Sequence, residues 1–216
     1  MRAHTAETQA TITPAKALAI LKEGNQRFVN NLKVNRNLLE QVNETKDGQF
    51  PFAIVLSCID SRTSAELIFD QGLGDIFSVR IAGNILNEDI LGSMEFACKL
   101  AGSKLIVVLG HSRCGAIKGA CAEVKIGNLT GLLEKIHPAI REVKNEMPDT
   151  DPTNPDFINA VEKQNVISTM DMIIKDSPVL KELYESGEIG IVGSYYDVET
   201  GEVSFMKAVI EEPVSH

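Results

Sequence analysis

The sequence predicts an α/β fold: one domain with a mainly parallel central β-sheet, flanked by helices and finished at one edge by a C-terminal hairpin. Three observations carry this. Residues 52–56 (FAIVL) and 105–109 (LIVVL) are short, nearly continuous apolar runs rich in β-branched residues, as in strands buried on both faces of a parallel sheet. Segments of helical periodicity lie between and after them. From residue 188 the pattern changes to alternation around Glu199-Thr200-Gly201, which reads as a turn between two strands.

The elements follow in order. Thr13 and Pro14 suit an N-cap and a first helical position, and Ala17, Leu18, Leu21 and Phe28 then recur on one side, giving a helix over 14–30. The first buried strand, 52–56, is followed by a short helix near 66–70 and a weaker strand over 76–79. A helix over 88–101 has Asn87 as its cap and Gly102 where a terminating glycine belongs. With 105–109 this completes βαβαβ. The chain after Cys114 is mostly helical, is broken by MPDTDPTNP at 147–155, and resumes over 157–175, either as an insertion or as a helical flank. Strands over 188–198 and 202–210 close the sheet. No internal repeat is present, so residues 1–216 are expected to form a single domain, with about the first twelve mobile.

Composition excludes several function classes. The 216 residues carry a net charge of −9 and a pI near 5.0, which disfavours nucleic acid and anionic membrane surfaces as partners, since both select for Lys and Arg. Nowhere do about 18 uncharged apolar residues follow one another. The opening segment lacks the apolar core of a signal peptide, and a cytoplasmic protein is expected. Four cysteines are too few for a disulfide scaffold at this length; in a reducing compartment they are core residues, nucleophiles or metal ligands. No CxxC pair is present, which disfavours a redox thiol protein.

Their placement separates them. Cys58 follows the first buried strand with only Ser57 between, and His111 follows the second with only Gly110 between. In an open parallel sheet, ligands gather at the carboxyl ends of the strands, so both should face one crevice. Cys114 lies about a turn beyond His111, near the start of a helix, where backbone dipoles favour a thiolate. Two thiolates and one imidazole suit Zn2+, and three protein ligands leave a fourth position open, as catalytic zinc sites do. Beside Cys58, Asp60 and Arg62 are spaced to meet; the arginine would hold the carboxylate ionised and bidentate. Asp60 could then orient a zinc-bound hydroxide or, released, close the fourth position itself. Singly, each of these features is commonplace. Together, at the ends of two strands, they are not.

CIDSR (58–62), RIAGN (80–84) and GHSRCGA (110–116), in this order and spacing, resemble the β-class carbonic anhydrases, and the similarity runs from the ALAILKEGNQRF helix to the GSYYDVETGEV hairpin. The resemblance implies one zinc per chain on Cys58, His111 and Cys114, an Asp60–Arg62 dyad, and reversible hydration of carbon dioxide to bicarbonate by attack of zinc-bound hydroxide. It implies a homodimer or a dimer of dimers, with the N-terminal helix packing across the partner. It also places Gln49, Phe77, Ala82 and Phe96 around the substrate: Gln49 as a hydrogen-bond donor, from the neighbouring subunit, and the two phenylalanines as apolar walls. Ile81 stands where many relatives have Asn, and Phe96 where some have Tyr. Regulation by a tryptophan-containing bicarbonate site is not expected, because the chain has no Trp. Two other readings fit the same ligands: hydrolysis of carbon disulfide or carbonyl sulfide, and a non-catalytic structural zinc.

The remaining candidates read as packing or surface. Cys98 and Cys121 lie on helical faces and suit a core. His4, His137 and His216 read as structural or exposed. Tyr195 and Tyr196 are candidates for proton transfer by residue type alone.

Overall fold

A computed structural model describes residues 2–209. Its strands are β1 (Ala53–Ser57), β2 (Ile76–Arg80), β3 (Leu105–His111), β4 (Gly190–Tyr196) and β5 (Val203–Val209). They form one sheet in the order β2-β1-β3-β4-β5, parallel except for the antiparallel β4–β5 pair at one edge. The two continuous apolar runs occupy inner positions, where both faces are covered, and every residue of β1 and β3 is buried. β2 reads as the weaker strand because it is the opposite edge, with only Ile76 fully buried. Ile210, the expected end of the last strand, lies outside the described residues, as does His216.

Alternation along β1 and β3 divides the core. Ala53, Val55, Leu105 and Val107 face one side and pack with α2 (Pro14–Val29), through Ala17, Leu18 and Leu21. Ile54, Leu56, Ile106 and Val108 face the other and pack with α5 (Glu88–Glu95), α9 (Pro155–Asp176) and α10 (Pro178–Glu185). Thr13 caps α2 by accepting from the Lys16 N–H at 3.2 Å, with Pro14 in the first turn, as expected; Asn87 caps α5 in the same way. Beyond α5, residues Phe96–Leu100 widen into a π-helical turn that ends at Gly102, whose φ of +79° is the left-handed stop that glycine permits.

The helical stretch after Cys114 is a flank of the sheet. It consists of α6 (Gly115–Cys121), α7 (Gly127–Glu134), α8 (His137–Glu146) and α9. These helices build a third apolar cluster over the carboxyl ends of β1 and β3, including Ile117, Leu133, Ile136, Phe157 and Val161. Three short helices escaped the sequence reading: α1 (Ala6–Ala10), α3 (Leu38–Thr45) and α10. Within residues 1–12, Gln9 and Ile12 are buried. The Gln9 amide donates at 2.8 Å to the carbonyls of Pro51 and Ala101, anchoring α1 across the start of β1.

Gly110 decides how closely α9 can lie on the sheet. A Cβ there would stand 2.5 Å from Val166 Cγ2, so any side chain would push α9 off the end of β3. Gly110→Ala should therefore cost about 1–3 kcal/mol through overpacking. A lowered urea midpoint with an unchanged slope is the expected result. An equal midpoint would mean that the helix yields without cost.

Candidate metal centre

The parallel register puts the site together. Ser57 pairs with Leu109, so Cys58 leaves β1 level with the end of β3, from which His111 projects. The turn Ser112-Arg113 returns the chain so that Cys114 opens α6. The Cys58, His111 and Cys114 ligand atoms all lie within 4.8 Å of one another, and all three residues are at most 4% exposed. Cys98 and Cys121 are buried in the packing clusters, and burial pushes their thiols up to about 12 and about 11.

The donor set fits a divalent metal. His111 Nδ1 donates to the Ser112 carbonyl at 2.9 Å, which leaves Nε2 as the acceptor tautomer facing the cysteines. Nε2 is fully buried and, among the described residues, has no partner at hydrogen-bond geometry beyond its facing Cys58, a costly state for a polar atom unless an ion completes it. The two thiols compete for one proton. Hydrogen bonding from Cys114 draws Cys58 down to about 4 despite its burial, while Cys58 and burial push Cys114 upward. A soft divalent cation is what would let both ionise together. The Gly83 N–H adds a 3.3 Å bond to Cys58 Sγ.

Asp60 and Arg62 meet as a fork. Arg62 Nε donates to Oδ1 at 2.9 Å and Nη2 to Oδ2 at 2.7 Å, and the Arg62 backbone N–H adds a third bond at 3.0 Å. The guanidinium holds the Asp60 carboxyl well below the usual carboxylate range. Arg80 fixes the loop carrying them, donating from Nε to the Cys58 carbonyl at 3.0 Å and from Nη2 to the Asp60 carbonyl at 2.6 Å. Asp60 thus stands two residues from a candidate ligand, ionised and oriented.

These features agree with the comparisons. Residues 53–203 match the sequence model of a family described as carbonic anhydrase. The chain belongs to the β-carbonic anhydrase family. It is 34% identical to carbonic anhydrase 2 of Mycobacterium tuberculosis over 194 residues, covering 87% of this chain and 90% of the relative. It is also 34% identical to a carbonic anhydrase of Mycolicibacterium smegmatis, with 88% and 92% coverage. Among solved structures, the β-carbonic anhydrase CcaA superposes with a TM-score of 0.71 at 27% identity, over 88% of this chain and 95% of that one. A tetrameric β-carbonic anhydrase of Sordaria macrospora shares the fold at 23% identity, with a TM-score of 0.70 over 77% and 86%.

The other residues that the β-carbonic anhydrase resemblance singles out are dispersed in the single chain. Phe77 and Phe96 pack edge to face with ring centroids 6.2 Å apart, on an open groove of about 540 Å³ beside β2 that also includes Val79 and Gly92. Phe96 is 51% exposed. Ala82 opens the 3-10 turn Ala82–Asn84, next to the glycine that bonds Cys58. Gln49 is exposed in the segment between α3 and β1. His4 stacks edge-on against Phe52 at 5.4 Å, and His137 lies in the first turn of α8, so neither joins the centre.

Several residues against the centre were not legible as such. Arg80 was visible only as part of a motif, without a role. Glu162, Asn165 and Tyr195 come from α9 and β4: Glu162 Oε1 accepts from the Cys114 N–H at 2.7 Å, and its Oε2 from the Tyr195 hydroxyl at 2.6 Å. Burial raises the Glu162 carboxyl despite these bonds, and raises the Tyr195 phenol. The available signal was the polar set 162, 165 and 169, interleaved on α9 with the buried apolar residues 161, 166 and 170. Tyr195 is fixed by that bond, a poor arrangement for carrying protons outward.

Proposed function

We propose that the chain catalyses the reversible hydration of carbon dioxide to bicarbonate and a proton, with one Zn2+ held by Cys58, His111 and Cys114. The observation that carries this reading is the buried Cys-His-Cys cluster, in which His111 Nε2 has no partner beyond Cys58, beside an aspartate already bound by an arginine, in a chain of this family. When bound, zinc supplies the Lewis acidity that makes water nucleophilic near neutral pH, and two anionic sulfur donors moderate that acidity.

The protein's own groups do the positioning. The Ser112 carbonyl, by accepting from Nδ1–H, fixes the orientation of the His111 ring and leaves Nε2 for the metal. Asp60 accepts two bonds at Oδ1 and one at Oδ2, all from Arg62, and the remaining Oδ2 lone pair is the one with which it would accept a hydrogen bond from the reacting water and aim it at carbon dioxide. Held by that fork, Asp60 is not part of the Cys58-His111-Cys114 cluster, so three protein ligands would hold the metal, as in a catalytic rather than a closed structural site. Phe77 and Phe96 form apolar walls for the linear substrate, Ala82 leaves it room, and Gln49 donates to a substrate oxygen of the partner subunit's site. Such an arrangement requires a homodimer or a dimer of dimers, and the exposed Leu38, Leu39, Leu67, Phe96 and Leu100 are apolar surface available to it. The N-terminal α2 packs on its own sheet in the single chain, and crossing to the partner belongs to the same proposed assembly. No helix among the described residues is long and apolar enough to cross a membrane. Cytoplasmic placement rests on the acidic composition and four unpaired cysteines.

The test is zinc content together with stopped-flow carbon dioxide hydration over roughly pH 6.5 to 9, which brackets the ionisation of water at such a metal. One zinc per chain and a rate rising with pH are expected. Stoichiometric zinc without hydration would turn the reading to a structural site, or to carbon disulfide or carbonyl sulfide as substrate. Absence of zinc would remove the site assignment.

A further inference from the structure

The turn that delivers Cys114 is strained. Arg113 sits at φ +58°, in the left-handed region, which costs a non-glycine residue about 1–2 kcal/mol. Such a turn persists only when its surroundings hold it. On the hairpin side, the Ser112 N–H donates to the Tyr196 carbonyl at 2.9 Å, Ser112 Oγ accepts from the Val198 N–H at 3.0 Å, and Arg113 forms an exposed pair with Glu199. On the site side, the Ser112 carbonyl accepts from His111 Nδ1 and the Cys114 N–H donates to Glu162. The bond to Glu162 is the one that reaches Cys114 itself, and it is buried.

Glu162 is 3% exposed. A carboxylate in such a place is costly unless its oxygens are satisfied, and here the Cys114 N–H and the Tyr195 hydroxyl donate to it, one to each oxygen. Tyr195 stands on β4 opposite Gly110 of β3, so the Glu162–Tyr195 bond ties α9 to the sheet one residue before His111. Three residues along the same helix, Asn165 Nδ2 donates at 2.9 Å to the carbonyl of Gly83, whose own N–H bonds Cys58 Sγ. Gly83 also has φ +67°, and a Cβ there would lie 3.0 Å from Ile136 Cδ1. One face of α9 therefore grips, through their backbones, the turn that carries Cys114 and the Gly83 turn that bonds Cys58 Sγ.

Resting on the proposed zinc site, we infer that Glu162 is a positioning residue for the metal ligand Cys114, with Asn165 steadying the Cys58 side. Its carboxylate accepts from the ligand's own backbone and from Tyr195 at once, so the strained turn is set before the metal arrives. The thiolate then needs no rearrangement on binding. Ligand supports of this kind typically alter metal affinity by about 10–100-fold.

The experiment compares full-length wild type with Glu162→Leu and Glu162→Gln. Zinc affinity is read by chelator competition, and ligand geometry by the visible absorption of the Co2+-loaded protein. Glu162→Leu should weaken zinc binding by about 10–100-fold and shift or broaden the cobalt bands. Glu162→Gln should restore most of both, because its amide oxygen still accepts from Cys114 while its NH2 group faces the Tyr195 oxygen. A Glu162→Leu protein with wild-type affinity and an unchanged cobalt spectrum would overturn the inference. If that variant fails to fold, Tyr195→Phe, which removes one hydroxyl, decides on the same two readouts: weakened affinity supports the inference and unchanged values overturn it. Wild type that binds neither metal would instead defeat the zinc-site reading itself.

Discussion

Cys114→Ser is expected to strip the chain of its metal and, with it, of carbon dioxide hydration. A serine hydroxyl does not ionise near neutral pH, so the site would lose an anionic soft donor and keep a smaller neutral one. Four-ligand zinc sites bind with about 10–16 kcal/mol, or about 2.5–4 kcal/mol per ligand, which corresponds to roughly 10²–10³-fold in dissociation constant for the loss of one. The contrast with the other thiols sharpens the result. Cys98→Ser and Cys121→Ser remove sulfurs from packing clusters, where burial already keeps them protonated, and should retain one zinc per chain. Elemental analysis after gel filtration, alongside stopped-flow rates, reads all three. Full zinc in Cys114→Ser would mean that another group completes the site.

Asp60→Asn should keep the zinc and lose the rate. The amide fills the same space but has one acceptor oxygen, and it meets Arg62 with an NH2 group where an oxygen stood. A misplaced orienting group costs about 10²–10³-fold in turnover. Arg62→Ala should approach the same loss by a different route, since the freed carboxylate can take the fourth metal position. The sign of the pH effect follows from the lowered Asp60 carboxyl. The stabilisation from the Asp60–Arg62 contact is present above the unfolded aspartate value of about 3.9 and is lost as pH falls through the lower folded value. Asp60 therefore stays ionised throughout roughly pH 6.5 to 9, and a rise in hydration over that range would report a group other than Asp60, which under the proposed zinc reading would be water on the metal. Asp60→Asn should scale the profile down and leave its midpoint nearly in place; a midpoint that moves with the mutation would assign the titration to the dyad.

Both results depend on a cluster, Cys58, His111 and Cys114, whose members are legible in the sequence. Strands buried on both faces must be continuously apolar, so β1 and β3 announce themselves, and a parallel sheet exposes reactive groups where such strands end. Cys58 and His111 follow directly. Cys114, Asp60 and Arg62 lie within a few residues of them, where local spacing still controls geometry. The short helices α1, α3 and α10 did not stand out, because eight residues or fewer give too little periodicity to separate from a loop.

The sequence by itself thus determined the sheet's central strands, the positions of Cys58, His111 and Cys114 that cluster at their ends, and the aspartate held by its arginine. Tertiary structure alone decided that the helical stretch after residue 114 is a flank of the sheet, that Gly110 admits α9 against β3, and that Glu162 meets the Cys114 turn while Asn165 meets the Gly83 turn against Cys58. The reason is the range of the interactions. Periodicity and turn spacing act over a few residues, whereas the contact from Glu162 to Cys114 spans 48 positions and that from Asn165 to Gly83 spans 82. Such contacts exist only once the sheet has set where the helix lies, and a polar residue on a buried helical face does not reveal its partner until then.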